Sequence, residues 1–205
     1  LLNELRNKLF RNIVQSISYL PHFISIVVIA GMMVDFLASD GLINQITSWF
    51  DVKPISYLLL PQWFRTIYVS SGVWQGVGWG SIIYLAAIAG IDPSLYEAAK
   101  VDGAGRLRQL TNVTLPGIMP TIMILLILRV GHLLSGGSFE KILLLYNPTT
   151  YETSDVISTF VYRRGLLQFD YGFSTAIGLV NNLVNFVLLL TANALSRRLS
   201  EHKLW

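Results

Sequence analysis

Charged and amide side chains are scarce in the apolar stretches of this 205-residue chain, so each one found there needs a reason. Arg129 lies deep in an apolar run, where a central arginine costs about 2.5–3.5 kcal/mol on insertion scales. It should face the interior of a bundle. A gate or solute contact is the functional explanation, and an ion pair with a missing or partner helix is the slightly better one. Asn181 and Asn185 share a stripe with Ser174 and Gly178 at spacings of three and four, and Asn182 lies beside it. Interhelical hydrogen bonds, worth about 1 kcal/mol each, and contacts to solute hydroxyls account for these amides equally well. Gly72, Gly76 and Gly80 recur every four residues, with Gln75 and Trp79 nearby. Such a face lets a neighbouring backbone approach, and close packing explains it better than lining a pathway does.

Other chemistries lack their residues. His22, His132 and His202 form no cluster and cysteine is absent, so no metal site is expected. No Gly-Lys-Ser or Gly-Lys-Thr phosphate loop occurs, so ATP chemistry must belong to another subunit. No acid, base and nucleophile converge at one depth, so no catalytic residue and no cofactor is assigned. The formal net charge of +3 suits a membrane surface or nucleic acid, so its distribution matters more than its sum. No nucleic-acid partner is expected.

The elements that would position these residues follow from hydropathy. Hydrophobic residues make up 53% of the chain and charged residues 13%, against the roughly 25% charged of a soluble domain. A helix needs about 20 mainly apolar residues to cross a bilayer, and four segments qualify, approximately 17–37, 67–90, 114–134 and 173–195. Trp49, Phe50, Tyr57, Trp63, Phe64 and Tyr68 gather around the second segment and its preceding loop, as headgroup-level aromatics do. Four crossings put both ends and the loop near 91–113 on one side. That side carries nine lysines and arginines (Arg6, Lys8, Arg11, Lys100, Arg106, Arg108, Arg197, Arg198, Lys203). The other carries five (Lys53, Arg65, Lys141, Arg163, Arg164). The positive-inside rule therefore makes the ends and the central loop cytoplasmic. The fold class is all-α, a polytopic membrane helix bundle forming a single transmembrane domain over 1–205. The chain opens on Leu1 and a polar, basic run rather than a signal peptide, and reads as a piece cut inside a longer protein.

The central loop reads IDPSLYEAAKVDGAGRLRQLTNVTLPGIMP from Ile91 to Pro120. Asp92 can cap a helix, Pro93 suits its first position, and Gly103 can turn the chain with positive φ. A second short helix can follow from Ala104, and Thr114 and Pro116 can restart a helix into the membrane. The result is a helix–turn–helix stiff enough to transmit force.

Glu97, Ala98, Ala99, Gly103, Leu115 and Pro116 reproduce the EAA signature, so the chain resembles the permease subunits of bacterial ABC importers. Asp102 and Ala104 complete the Asp-Gly-Ala form common in the sugar-importing branch, while Val113 and Leu110 depart from the usual isoleucine and aromatic. The segment from Gly137 to Leu166 looks like the outer loop of polysaccharide-type permeases. This resemblance implies a type I importer permease fold in the inner membrane, with four spanning helices here, a cytoplasmic coupling helix pair, and further helices before Leu1. It also implies a second permease subunit, two cytoplasmic ATPase subunits docked on the EAA loops, an extracytoplasmic solute-binding protein and a carbohydrate solute, an oligosaccharide or another carbohydrate. The rivals are a secondary transporter or channel, which would favour carboxylates within its spans where only Asp35 comes close, and a membrane-embedded enzyme.

Overall fold

The computed structural model describes residues 8–131 and 139–199, and every regular element among them is helical. Four segments are long and apolar enough to cross a membrane: Ile26–Ser48, Pro61–Ala89, Arg106–Gly131 and Tyr171–Ala194. Valines 69, 73 and 77, one turn apart, are all exposed on the second of these. An uncovered apolar stripe of this kind suits lipid or a protein neighbour and not water.

The elements differ in detail from the sequence expectation. Helix α1 (Lys8–Tyr19) ends at a 3₁₀ turn, Leu20–Phe23, and α2 (Ile26–Leu37) starts afresh with the Ser25 hydroxyl accepting from the Val28 N–H at 3.3 Å. The expected first span, 17–37, is thus broken by Pro21 and the Ser25 cap. Its apolar length continues instead through a turn into α3 (Leu42–Ser48). Gly41 makes that turn possible, because a Cβ there would lie 2.3 Å from the Asp35 carbonyl oxygen. Helix α4 is Pro61–Ala89, α5 is Pro93–Val101, α6 is Arg106–Gln109 and α7 is Leu115–Gly131. The short helices α8 (Phe139–Leu145), α9 (Tyr151–Ser154) and α10 (Ile157–Val161) precede α11 (Tyr171–Leu199).

The chain divides into two compact units, with α1, α4 and α11 contributing to both. One unit takes its described residues from Val14–Gly78 and Gly136–Asn181. Its core joins Ala30 of α2, Phe64 of α4, and Ile142 and Leu145 of α8, with Phe64 and Tyr68 stacked at 6.2 Å between ring centres. Side-chain amides stitch its connections. Buried Asn44 donates to the carbonyls of Ala38 and Ile55 at 2.7 and 2.8 Å and accepts from the Ile55 N–H, leaving none of these buried groups unpaired. Asn147 and Thr149 donate to the carbonyls of Leu58 and Leu59, and Thr153 donates to that of Pro61, so the segment after α8 grips the start of α4.

Arg163 closes this unit. It donates to Asp155 at 2.9 Å and lies 4.3 Å from the centre of the Tyr151 ring, while Thr159, fully buried, donates to the same carboxylate at 2.6 Å. Burial alone would raise the Asp155 pKa, but the hydrogen bonds from Arg163 and Thr159 and the charge of Arg163 outweigh it and hold the carboxyl below 3.8. A folded pKa below the unfolded one contributes stability that is complete above the unfolded value and lost as pH falls through the folded value. Stability should therefore drop on acidification below about pH 4, and Asp155→Asn should flatten that drop while costing about 1–3 kcal/mol at neutral pH. Thermal unfolding in detergent across pH 2–7 checks both; identical curves for the two proteins would exclude the pair as a source of acid sensitivity.

The other unit takes its described residues from Leu1–Ile13, Trp79–Ser135 and Asn182–Trp205. Buried Met123 and Ile127, one turn apart, mark a packed side of α7, and Ile118 near its start is buried as well. A Cβ on Gly131 would lie 3.2 Å from a Leu189 methyl group, so α7 and α11 touch there.

Candidate functional site

The loop between α4 and α7 is built by its own local chemistry. Asp92 caps α5, accepting from the Ser94 N–H at 2.9 Å, and that bond lowers the carboxyl pKa. Pro93 occupies the first helical position, where its missing N–H costs nothing. At the other end Gly103 takes φ +74, its N–H donating to the Lys100 carbonyl at 3.0 Å, while the Ala104 N–H donates to that of Ala99 at 2.9 Å. These two bonds are the Schellman closure, which needs a residue in the left-handed region and favours glycine. Gln109 of α6 donates back to the Ala104 carbonyl at 2.8 Å, and the Tyr96 hydroxyl meets that of Thr114 at 2.9 Å, tying α5 to the base of α7. Ile91 packs on Gly117, where a Cβ would come within 2.8 Å of its terminal methyl.

One expectation for this loop is corrected. The helix does not restart at Thr114 and Pro116. It runs from Arg106 to Gly131 through a widened π turn, Leu110–Thr114, in which the Leu115 N–H donates five residues back to the Leu110 carbonyl. Pro116 has no N–H for the Asn112 carbonyl and its ring would strike that oxygen in regular α geometry, so a wider turn just before it relieves the conflict. Pro120 sits inside α7, a second position without a backbone donor.

Glu97, Ala98 and Asp102 are exposed and Ala99 is half-buried, while Leu115 and Pro116 are exposed at the start of α7. Around them Leu95, Val101 (88% exposed) and Leu107 (76%) stand free of any cover among the described residues. The helix that carries the Glu97 carboxylate, α5, is fixed at both ends by caps.

The remaining predicted residues are not brought together. Gln75 is half-buried and donates to the Ile24 carbonyl at 3.3 Å, a helix-to-loop tie. Arg129 is exposed, two positions past buried Ile127 and so on the opposite side of α7. The cost of lipid exposure demands protein or water around it, and within the described residues this chain supplies no cover. His132, three positions further on in the sequence, lies outside the described residues. Asn181 and Asn185 are half-buried and Asn182 is exposed. The Asn185 side-chain oxygen is buried without a hydrogen-bond partner among the described residues. Ser174 of the same stripe donates to the Val161 carbonyl at 3.3 Å, which is the interhelical role.

Sequence reasoning missed several residues. Asn193, two turns beyond Asn185, is 3% exposed and extends the stripe, a signal that was present in the spacing. Gly78, and not the Gly72, Gly76 and Gly80 face, carries the close approach: a Cβ on Gly78 would stand 1.9 Å from the Ser18 carbonyl oxygen, whereas Gly76 and Gly80 meet nothing within 4 Å. Lys141, counted as a loop charge, is buried, and burial lowers its pKa.

Four helices able to cross a bilayer, with a capped helix pair between the second and third, define a polytopic membrane protein. The chain belongs to the family of binding-protein-dependent transport system inner membrane components, which it matches over residues 1–201. It is 44% identical to the polygalacturonan/rhamnogalacturonan transport system permease protein YteP of Bacillus subtilis (strain 168) and 38% identical to Protein LplB of the same organism. In each case all of this chain aligns and spans 64% of the relative's length. Among solved structures it is similar to a bacterial alginate ABC transporter in complex with an alginate pentasaccharide-bound periplasmic protein. Identity there is 50% and the TM-score 0.96, covering 99% of this chain and 70% of that one.

Proposed function

We propose that this chain is a permease subunit of an ATP-driven, binding-protein-dependent importer of oligosaccharides, lining part of the solute path and coupling it to separate ATPase subunits. One observation carries this reading: the loop bearing Glu97, Ala98 and Ala99 is an exposed helix pair, the first helix capped at both ends and the second continuous with a membrane-length helix. A docking protein that pushed on α5 would move α7 as a body. Exposed Leu95, Val101 and Leu107 offer the apolar contact and Glu97 the charge. The absence of a phosphate loop from the sequence is consistent with ATP hydrolysis by a partner.

The solute class rests on the company the chain keeps. Its relatives include a polygalacturonan/rhamnogalacturonan permease and a transporter for the acidic polysaccharide alginate, which supports an acidic oligosaccharide. The further partners are a second permease subunit and an extracytoplasmic binding protein. Affinity purification from membranes should recover an ATPase in stoichiometric amount, with ATP hydrolysis stimulated by the loaded binding protein; a chain purified without an ATPase yet transporting solute would refute the reading.

Topology provides a separate check. A cysteine at Gly105, where nothing lies within 4 Å of the added Cβ, should resist an impermeant thiol reagent in intact cells and react after permeabilisation. Labelling from outside would place the loop on the wrong side for coupling.

A further inference from the structure

We infer that Lys141 is the contact for a carboxylate on the passing saccharide, an assignment that rests on the import reading above. Lys141 sits on α8 at 5% exposure, beneath α4. Its Nζ donates to the Tyr68 carbonyl at 3.5 Å and lies 5.3 Å from the centre of the Tyr68 ring. The ion pairs among the described residues are Arg163 with Asp155 and Arg164 with Asp170, so no carboxylate among them pairs with Lys141. An ammonium has three donors, and one long bond to a carbonyl with a ring face alongside leaves most of that capacity unused. A desolvated cation without a counter-charge is unfavourable unless an anion arrives from outside the chain.

The surroundings favour a ligand that comes and goes. Nζ lies 3.9 Å from where a Cβ on Gly72 would stand, and Gly72 and Gly76 are exposed, with nothing near Gly76. The ammonium therefore lies beside Gly72, one turn from exposed Gly76, where the bare backbone of α4 lets a sugar ring approach closely. Arg163 in the same unit shows the alternative, a cation locked by bonds to one carboxylate and by an aromatic face. A permanent protein partner would fix Lys141 in that manner, whereas free donors suit release.

The test uses the complete transporter in proteoliposomes and two probes, an alginate tetrasaccharide and the same tetrasaccharide with its carboxylates reduced to alcohols. Each is supplied at a concentration that saturates the binding protein. Lys141→Met keeps the apolar stem and should lower uptake of the acidic probe at least tenfold while changing the reduced probe less than twofold, and Lys141→Arg should restore most acidic uptake. Equal loss of both probes would make Lys141 a structural residue or the mate of a partner-subunit carboxylate. Unchanged acidic uptake would remove it from the path. Either result overturns the assignment and leaves the import reading intact. A wild-type complex that imports neither probe would instead overturn the acidic solute class and this assignment with it, while recovery of the ATPase decides the import reading separately.

Discussion

Glu97→Ala and Gly103→Val should each abolish most ATP-driven uptake while leaving the chain in the membrane. Glu97 is exposed on α5, in the same loop as exposed Leu95, Val101 and Leu107. If an ATPase groove covers that loop, the carboxylate becomes one half of a desolvated charge pair, and truncating one half costs about 2–5 kcal/mol. The Gly103 change acts on geometry. Its φ of +74 is strained for a branched side chain, by about 1–3 kcal/mol, although nothing lies within 4 Å of the added Cβ. The strain would open the bonds from Gly103 and Ala104 that close α5, swinging α6 away from it. Gly103→Asn separates the two explanations, because asparagine tolerates the left-handed region and should retain much of the uptake. Uptake and ATPase stimulation by the loaded binding protein are the measurements; normal values for both Glu97→Ala and Gly103→Val would mean that this loop does not couple.

A second large effect is expected at Gly78. A methyl group there would lie 1.9 Å from the Ser18 carbonyl oxygen and 2.4 Å from its carbon, and backbone cannot rotate out of the way as a side chain can. Helix α1 must move bodily, so Gly78→Ala should cost about 1–3 kcal/mol and Gly78→Val more. Gly76→Ala, two positions away and facing open space, should stay within about 0.5 kcal/mol of the parent. Thermal unfolding and membrane yield of the three variants would settle it, and equal stability of Gly76→Ala and Gly78→Ala would contradict the close approach.

What could be read from the sequence was local. The Asp92 cap, Pro93 at the first position and the positive φ of Gly103 each follow from residues within one or two turns, and the structure has all three. The four membrane-length helices were legible from apolar run length, but the first was misplaced because hydropathy averages across Pro21, where the backbone breaks. Glycine periodicity pointed to the right helix and the wrong face, since which neighbour approaches α4 depends on where α1 packs, a pairing of positions 60 apart. The burial of Lys141 was invisible for a related reason. Its charge reads as a loop position until α8 folds beneath α4. The widened turn at Leu110–Thr114 had a cue in Pro116, which the sequence reading took as a place to begin a helix and not as a distortion within one.

That turn also sets a rotational phase. It spends one more residue than regular helix would, and each residue of an α-helix turns the chain by about 100°. Every side chain after it is therefore offset in azimuth from the face that α6 alone would continue. Met123 and Ile127 take their azimuth on α7 with that offset included. Loss of a single residue at Asn112 would keep both helices and their lengths, yet carry the buried side of α7 round by more than a quarter of a turn. Thr111 and Asn112, exposed and polar, are for this reason positions where the chain should tolerate exchange but not a change of length.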